Sequence, residues 1–257
     1  AAARAAKLHR ADYAAQAKER LVRAAADLGM AEVEFSPVGD AAARARLVSG
    51  LLSHGLAYEK LRSVYFDVAR DKDYGRMAGV DLAGQSLGKT VDLAAYAKDN
   101  ARDFTLLKRA ALADIKDGEF WPLEWGNVRP SWFVQMALAA LAALPRVDLA
   151  AAGETHRFPH LENLRAIWAY GAEARPRAWM VVQSAASADE ARPGRTAAAQ
   201  DAECPGEHED AATRPTLDGL LAAGHAPRSL RLWLLSGSYH KALCDAPETL
   251  AMWHKNR

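Results

Sequence analysis

The sequence predicts an α/β fold with a helical C-terminal end. Two observations carry that expectation: stretches with strand character alternate with stretches of helical character, and the helical ones stop at glycines or follow prolines. At 257 residues the chain can build one large or two modest domains with a real core. Half of its residues are hydrophobic and a quarter are charged, a composition that excludes a disordered chain.

Taken in order, Lys7 to Leu28 reads as a helix carrying Leu8, Leu21, Val22 and Leu28, stopped by Gly29. The opening "AAARAAKLHR" has no methionine and no acidic residue before Asp12. It fits either the tail of an Arg/Ala-rich transit peptide or an exposed helix start. Ala41 to His54 is a second helix, closed by Gly55. "SVYFDVA" (Ser63 to Ala69) alternates Val64, Phe66 and Val68 with Tyr65 and Asp67, the pattern of a half-buried strand. Glycines 75, 79, 84 and 88 punctuate a loop-rich stretch. A helix follows Pro130 and runs to Leu144, and a short strand lies around Val147 to Leu149. The next helix spans Pro159 to Tyr170, with Leu161, Leu164, Ile167 and Trp168 on one face. "AWMVVQ" (Ala178 to Gln183) reads as a strand. Ser184 to Asp210 has hardly any large apolar residue, so it reads as a mobile insertion. Helices at Leu217 to Ala223, Pro227 to Leu235 and Pro247 to Trp253 complete the chain.

Several function classes drop out early. The longest apolar run, Phe133 to Leu144, falls well short of the ~20 residues a membrane span needs, so no membrane partner is expected. A net charge of +1 supplies no strong pull toward nucleic acid. Cys204 and Cys244 lie far apart without a C-x-x-C partner and form neither a disulfide framework nor a zinc ribbon.

Five stretches together resemble the cysteinyl-tRNA synthetases, a class I aminoacyl-tRNA synthetase family. "VYFDV" followed by "YGRMAG" is similar to the family's strand and Tyr-Gly-x-Leu-Ser-Gly segment. "KDNARDFTLLKRA" resembles Lys-x-Asn-Pro-x-Asp-Phe-x-Leu-Trp-Lys, and "PLEWGNVRPSWFVQMAL" resembles Ser-Pro-Trp-Gly-x-Gly-Arg-Pro-Gly-Trp-His-Ile-Glu-Cys-Ser-Ala-Met. "RFPHLENL" resembles Phe-Pro-His-His-Glu-Asn-Glu. "TLDGLLAAGHAPRSLRLWLLSGSYHKAL" resembles the segment behind the Lys-Met-Ser-Lys-Ser loop. Order and spacing match from Lys7 to Trp253, and the mycothiol-pathway cysteine ligase shares much of the pattern.

The resemblance implies a partial class I Rossmann-like catalytic domain with a connective insertion and a C-terminal helical segment. The expected layout is a helical lead-in (1–62), the insertion (63–128), the second half of the Rossmann-like domain (129–183), the mobile stretch (184–215) and C-terminal helices (216–257). It also implies chemistry that can be checked by position. The family forms cysteinyl-adenylate from ATP and holds the substrate thiolate on zinc, an ion that takes about four N, S or O ligands. Of the implied ligands, the early cysteine has no counterpart, the second falls on Met136, the histidine is His160, and the glutamate falls on Leu164. A thioether suits Cu(I) better than Zn²⁺, and Leu164 can ligate nothing. Glu162 is two residues along from His160 and should point elsewhere. The positions are therefore read as vestigial, with no metal expected.

The ATP side departs as well. No His-x-Gly-His motif occurs, and the chain reads as starting after it. The Lys-Met-Ser-Lys-Ser position, counted back from Thr216, falls on Gly206-Glu207-His208-Glu209-Asp210. Carboxylates there would repel a triphosphate by on the order of several kcal/mol, where the family's lysines attract it. No cofactor and no small-molecule substrate are expected.

Other candidates read as structural. "AGQSLGKT" lacks the spacing of a phosphate-binding loop. Trp125 and Trp132 could stack on bases or fill the core, and the core reading is preferred. Arg228, Arg231, His240 and Lys241 form a modest basic cluster, read as an exposed helix face or an RNA contact. The resulting expectation is a catalytically inactive cysteinyl-tRNA synthetase-like protein, a pseudoenzyme serving as a structural or RNA-contacting subunit of a larger assembly. A mitochondrial ribosome is one such assembly, and the mitochondrion the expected compartment. The helix face of Phe133, Met136, Ala140 and Leu144 should need a protein or RNA partner. The alternatives are a functional synthetase whose first half is another chain, or a regulatory partner of a genuine synthetase.

Overall fold

The computed structural model describes residues 2–30, 33–36, 40–80, 98–144, 146–171, 175–183, 185–186, 216–241, 243–244 and 252. Outside them lie "AGQSLGKT", the Gly206–Asp210 stretch, most of Ser184 to Asp210, Cys204 and, apart from Met252, the helix expected at Pro247 to Trp253. The described residues fall into two compact units. Those of Ala1–Phe35, Gln183–Arg195 and Glu209–Arg257 form the smaller, and those of Ser36–Val182 the larger.

Along the chain, α1 (Ala2–Ala5) and α2 (Arg10–Asp27) open the smaller unit. The helix expected from Lys7 starts three residues later because Lys7 takes a left-handed φ of 54° and His9 becomes the N-cap. Gly29, at φ 59°, closes α2 as expected. Within the larger unit come α3 (Ala41–Ser53), β1 (Ala57–Lys60), β2 (Ser63–Phe66), β3 (Phe104–Arg109), α4 (Leu112–Lys116), β4 (Trp121–Leu123), β5 (Gly126–Pro130), α5 (Trp132–Ala143), β6 (Leu149–Gly153), α6 (Glu162–Gly171) and β7 (Ala178–Val182). The smaller unit resumes with β8 (Ala185–Ala186), α7 (Leu217–Ala222), α8 (Pro227–Ser236) and β9 (Leu243–Cys244). Leu230 and Trp233 of α8 are its buried centre, packed by Leu28, Leu217, Leu220, Leu221 and Leu243.

Strands β1 to β5 make one antiparallel sheet in the order β1-β2-β3-β5-β4. Strand β2 differs from the expected half-buried strand in two ways. It ends at Phe66, because the Asp67 carboxylate accepts the Ala69 N–H and starts a 3-10 turn. All four of its residues are buried, because β2 lies between β1 and β3 with both faces covered. Phe66 stacks on Phe104 at 4.8 Å, and Tyr65 packs under Tyr58 at 5.6 Å. Strands β1, β3, β4 and β5 had no clear alternating signal of their own; β4 and β5 are short, and Pro122 and Gly126 interrupt them.

The second layer is the parallel pair β6–β7 joined through α6, a βαβ unit of the Rossmann-like type. Strand β6 is alanine and glycine from Ala150 onward, residues whose own preferences do not specify a strand; its pairing with β7 does. Ser131 caps α5 by accepting the Val134 N–H, so that helix begins where Pro130 predicted. Helix α6 begins at Glu162 instead of Pro159 because Phe158 is extended (φ −136°, ψ 136°) within an irregular turn, Arg157–Leu161. It packs on both α3 and α5. The approach to α3 is close: a Cβ on Gly171 would stand 3.0 Å from Leu47 Cδ1 and 3.2 Å from the Leu47 carbonyl oxygen. Phe133 is covered within the chain by Phe104, whereas Met136 of the same helix and Leu144, the extended residue that ends it, remain exposed. No described helix is long and apolar enough to cross a membrane.

Asp103 ties the start of β3 to the sheet. Its carboxylate accepts the Tyr58 hydroxyl at 2.7 Å, the Val68 N–H at 3.1 Å and the Asn100 N–H at 3.2 Å. Burial still lifts its carboxyl above the usual aspartate value. An Asp103→Asn variant puts an NH₂ group against at least one of these donors in either amide orientation. We expect a loss of about 1–3 kcal/mol in urea unfolding. Unchanged stability would show that the three bonds carry nothing.

Candidate functional site

The implied zinc-ligand positions lie on three elements of the larger unit: Met136 on α5, His160 in the Arg157–Leu161 turn and Leu164 on α6. The His160 side chain is buried and packs edge-on against Trp132 at 4.7 Å, with Phe133 at 5.6 Å. Its Nδ1 lies 2.8 Å from Nδ1 of His156, so one imidazole donates and the other accepts. Trp132 also packs on His156 at 5.8 Å, and its indole N–H is buried without an acceptor among the described residues. His156 was missed by the sequence reading. Its signal was the four-residue spacing to His160, which places two imidazoles together wherever the chain turns.

Zinc does not fit these residues. His160 Nδ1 is engaged by His156, which leaves its Nε2 as the one ring nitrogen for a metal, and the Trp132 N–H is a donor that cannot ligate. Leu164 is 4% exposed and belongs to the hydrophobic core, while Met136 is half-exposed and offers a thioether. The nearest carboxylate by sequence, Glu162, has both oxygens engaged elsewhere. Its Oε2 accepts the Ala78 N–H at 3.0 Å, and its Oε1 accepts Arg165 Nε. Among the described residues, no group of three or more His, Cys, Asp or Glu is placed to hold a metal ion.

A buried polar network occupies the other side of α6. Arg165 Nη2 donates to Asp71 Oδ2 while its Nε serves Glu162, and the Tyr170 hydroxyl donates to Asp71 Oδ1 at 3.0 Å. Burial works against the Arg165 charge, but the bonds and fields of Glu162 and Asp71 outweigh it, so the guanidinium stays ionised. Tyr74 donates to Asn163, and burial, aided by the Glu162 charge, holds its phenol above the ordinary value. This network joins "DKDYGRMAG" to "HLENLR": the carbonyl and carboxyl chemistry of the second motif is spent on positioning the first. Asp71 carried no sequence signal, since its partners Arg165 and Tyr170 lie 94 and 99 positions away; Arg165 also meets Glu162 at a helical spacing of three.

The remaining candidates are spread out. Trp125 and Trp132 both pack against the core of the larger unit. Arg228, His240 and Lys241 are exposed in the smaller unit. Arg231 is engaged there: its Nη1 donates to the Leu28 carbonyl at 2.7 Å and to that of Gly29, capping the C-terminal end of α2.

Comparison with known proteins matches residues 1–182 to the family described as tRNA synthetases class I (C) catalytic domain. The chain is similar to the cysteine–tRNA ligase of Methanosarcina mazei, 37% identical over 118 residues, which are 46% of this chain and 25% of that protein. Its similarity to the Methanosarcina acetivorans enzyme is 36% over 118 residues, with the same coverage. For the Listeria monocytogenes enzyme it is 35% over 119 residues, 46% of this chain and 24% of the relative. The matched segment thus spans about a quarter of the length of these relatives. Together with the βαβ unit and the preserved motif order, the match of the family over residues 1–182 establishes that this chain belongs to the cysteinyl-tRNA synthetase family of class I catalytic domains.

Proposed function

We propose that this chain is a catalytically inactive member of its family, retained for its fold and working as a structural or RNA-contacting part of a larger assembly. The observation that carries the reading is the commitment of Glu162. The one carboxylate beside His160 in sequence is turned away and locked between the Ala78 N–H and Arg165, while Leu164 fills the core. A site that selects a thiolate through zinc needs free N, S or O donors converging on one point. Here His160, paired to His156 through Nδ1, keeps only its Nε2, and the thioether of Met136 is the remaining candidate. The acidic run Glu207 to Asp210, at the position of the family's phosphate-binding lysines, supports the same reading from sequence. Exposed Met136 on α5 and Leu144 just after it support a covering partner, protein or RNA, and an organellar ribosome is a concrete case.

Two measurements test the proposal. Elemental analysis of the purified protein should find no stoichiometric zinc, and cysteine-dependent ATP–pyrophosphate exchange should be absent. About one zinc per chain lost in His160→Ala, or any cysteine-dependent exchange, overturns the inactive assignment. Purification from the native source should return the chain with bound protein or RNA; recovery as a free monomer overturns the assembly role.

A further inference from the structure

A cavity of about 450 Å³ opens in the larger unit beside Arg165 and Ala169 of α6. It shares no residue with His160, Met136 or Leu164. Trp179 of β7 and Met77 supply apolar wall, and Arg76, Arg165, Arg175 and Asp73 supply the polar lining. Its size falls in the range of small-molecule sites, roughly 300–1,000 Å³.

The lining is built for a particular chemistry. Trp179 is steadied by Trp168, whose buried ring lies 5.9 Å away. Arg165 is balanced by Asp71 and Glu162 and acts as a fixed floor. Arg175 is exposed and has no ion-pair partner among the described residues. Arg76 meets Asp73 at 3.3 Å, but that pair is 83% and 56% exposed, an arrangement that holds an arginine weakly. Two guanidinium groups are therefore available at the mouth of a cavity walled by an indole and a thioether. Guanidinium forks match phosphate oxygens, and indole faces stack on planar heterocycles.

We infer that this cavity binds a nucleotide, its base against Trp179 and Met77 and its phosphate at Arg76 and Arg175, either free or as an exposed nucleotide of an RNA strand. The inference stands apart from the inactive assignment, because it is read by binding and uses none of the zinc-ligand positions.

Calorimetric titration of the whole chain with AMP, adenosine, inorganic phosphate and a 5′-phosphorylated oligoadenylate tests it. AMP should saturate the protein, and adenosine and phosphate should each bind at least about tenfold more weakly. Arg76→Glu and Arg175→Glu should each raise the AMP Kd about tenfold or more. Arg102→Glu, an exposed arginine elsewhere, should leave it unchanged. Trp179→Leu should weaken AMP and adenosine but not phosphate, with a melting curve confirming its fold; the two exposed arginines keep the test decisive if it does not fold. Tighter binding of the oligoadenylate than of AMP, lost in the same variants, identifies RNA as the source. Equal binding identifies the free nucleotide. No saturation by AMP or oligoadenylate below about 5 mM, or a Kd unchanged in both arginine variants, overturns the inference.

Discussion

Arg165→Met should lower the stability of the larger unit by about 3–5 kcal/mol, the largest effect expected of any single substitution here. The Arg165 side chain is 16% exposed, and both of its carboxylate partners, Asp71 and Glu162, are fully buried. Removing the guanidinium leaves two buried carboxylates whose desolvation nothing offsets. Methionine keeps the stem's packing, so the loss reports on charge. For a unit of this size the melting temperature should fall by about 10 °C. Arg165→Lys should fall between, because an ammonium keeps the charge but cannot serve Asp71 and Glu162 with a planar fork. Adding Asp71→Asn and Glu162→Gln to Arg165→Met should recover much of the loss. A drop of less than about 1 kcal/mol in Arg165→Met would show that water reaches the network and that its burial is not what couples the two motifs.

Leu164→Glu restores the residue type that the family resemblance places at this position, and it should destabilise the protein by about 3 kcal/mol or more. Burying the leucine contributes about 1.5–3 kcal/mol, and a carboxylate in its place adds a desolvation cost. Leu164 is surrounded by core residues on the helix face it shares with Ile167 and Trp168. The introduced carboxyl would be pushed above its unfolded value, so its penalty is smallest in acid and grows as pH rises through the folded value. Melting at pH 5 and pH 8 should show the larger loss at pH 8. Zinc should not rescue the variant, because beside the His160 imidazole and the new carboxylate the implied set offers only the Met136 thioether, a sulfur of the wrong softness. A zinc-dependent gain in melting temperature would sink the vestigial-site reading, since it would mean that the remaining donors still converge.

Much of the fold was legible because it is locally written. Asp40, Ser131 and Thr216 each accept an N–H three residues on, so α3, α5 and α7 begin where their capping residues stand. Gly29 and Gly55 take left-handed conformations that stop α2 and α3. The family motifs were legible for a related reason: their residue types and order are read along the chain without the fold. What the pattern could not convey was β2 buried on both faces, or β6 built from alanines, since each depends on neighbouring strands.

The site divides along the same line. Sequence by itself determined which residue types stand at the positions the resemblance implies, because Met136 and Leu164 can be read by position alone. Only the tertiary structure decided what the surviving groups do. Glu162 reaches Ala78 across 84 positions and Arg165 reaches Asp71 across 94, and Arg231 caps a helix 203 positions away. Local propensity acts over about one helical turn, whereas a buried charge takes whichever partner the fold brings within hydrogen-bond reach. A sequence can therefore name the residue types at a site, but the fold assigns the employment of each.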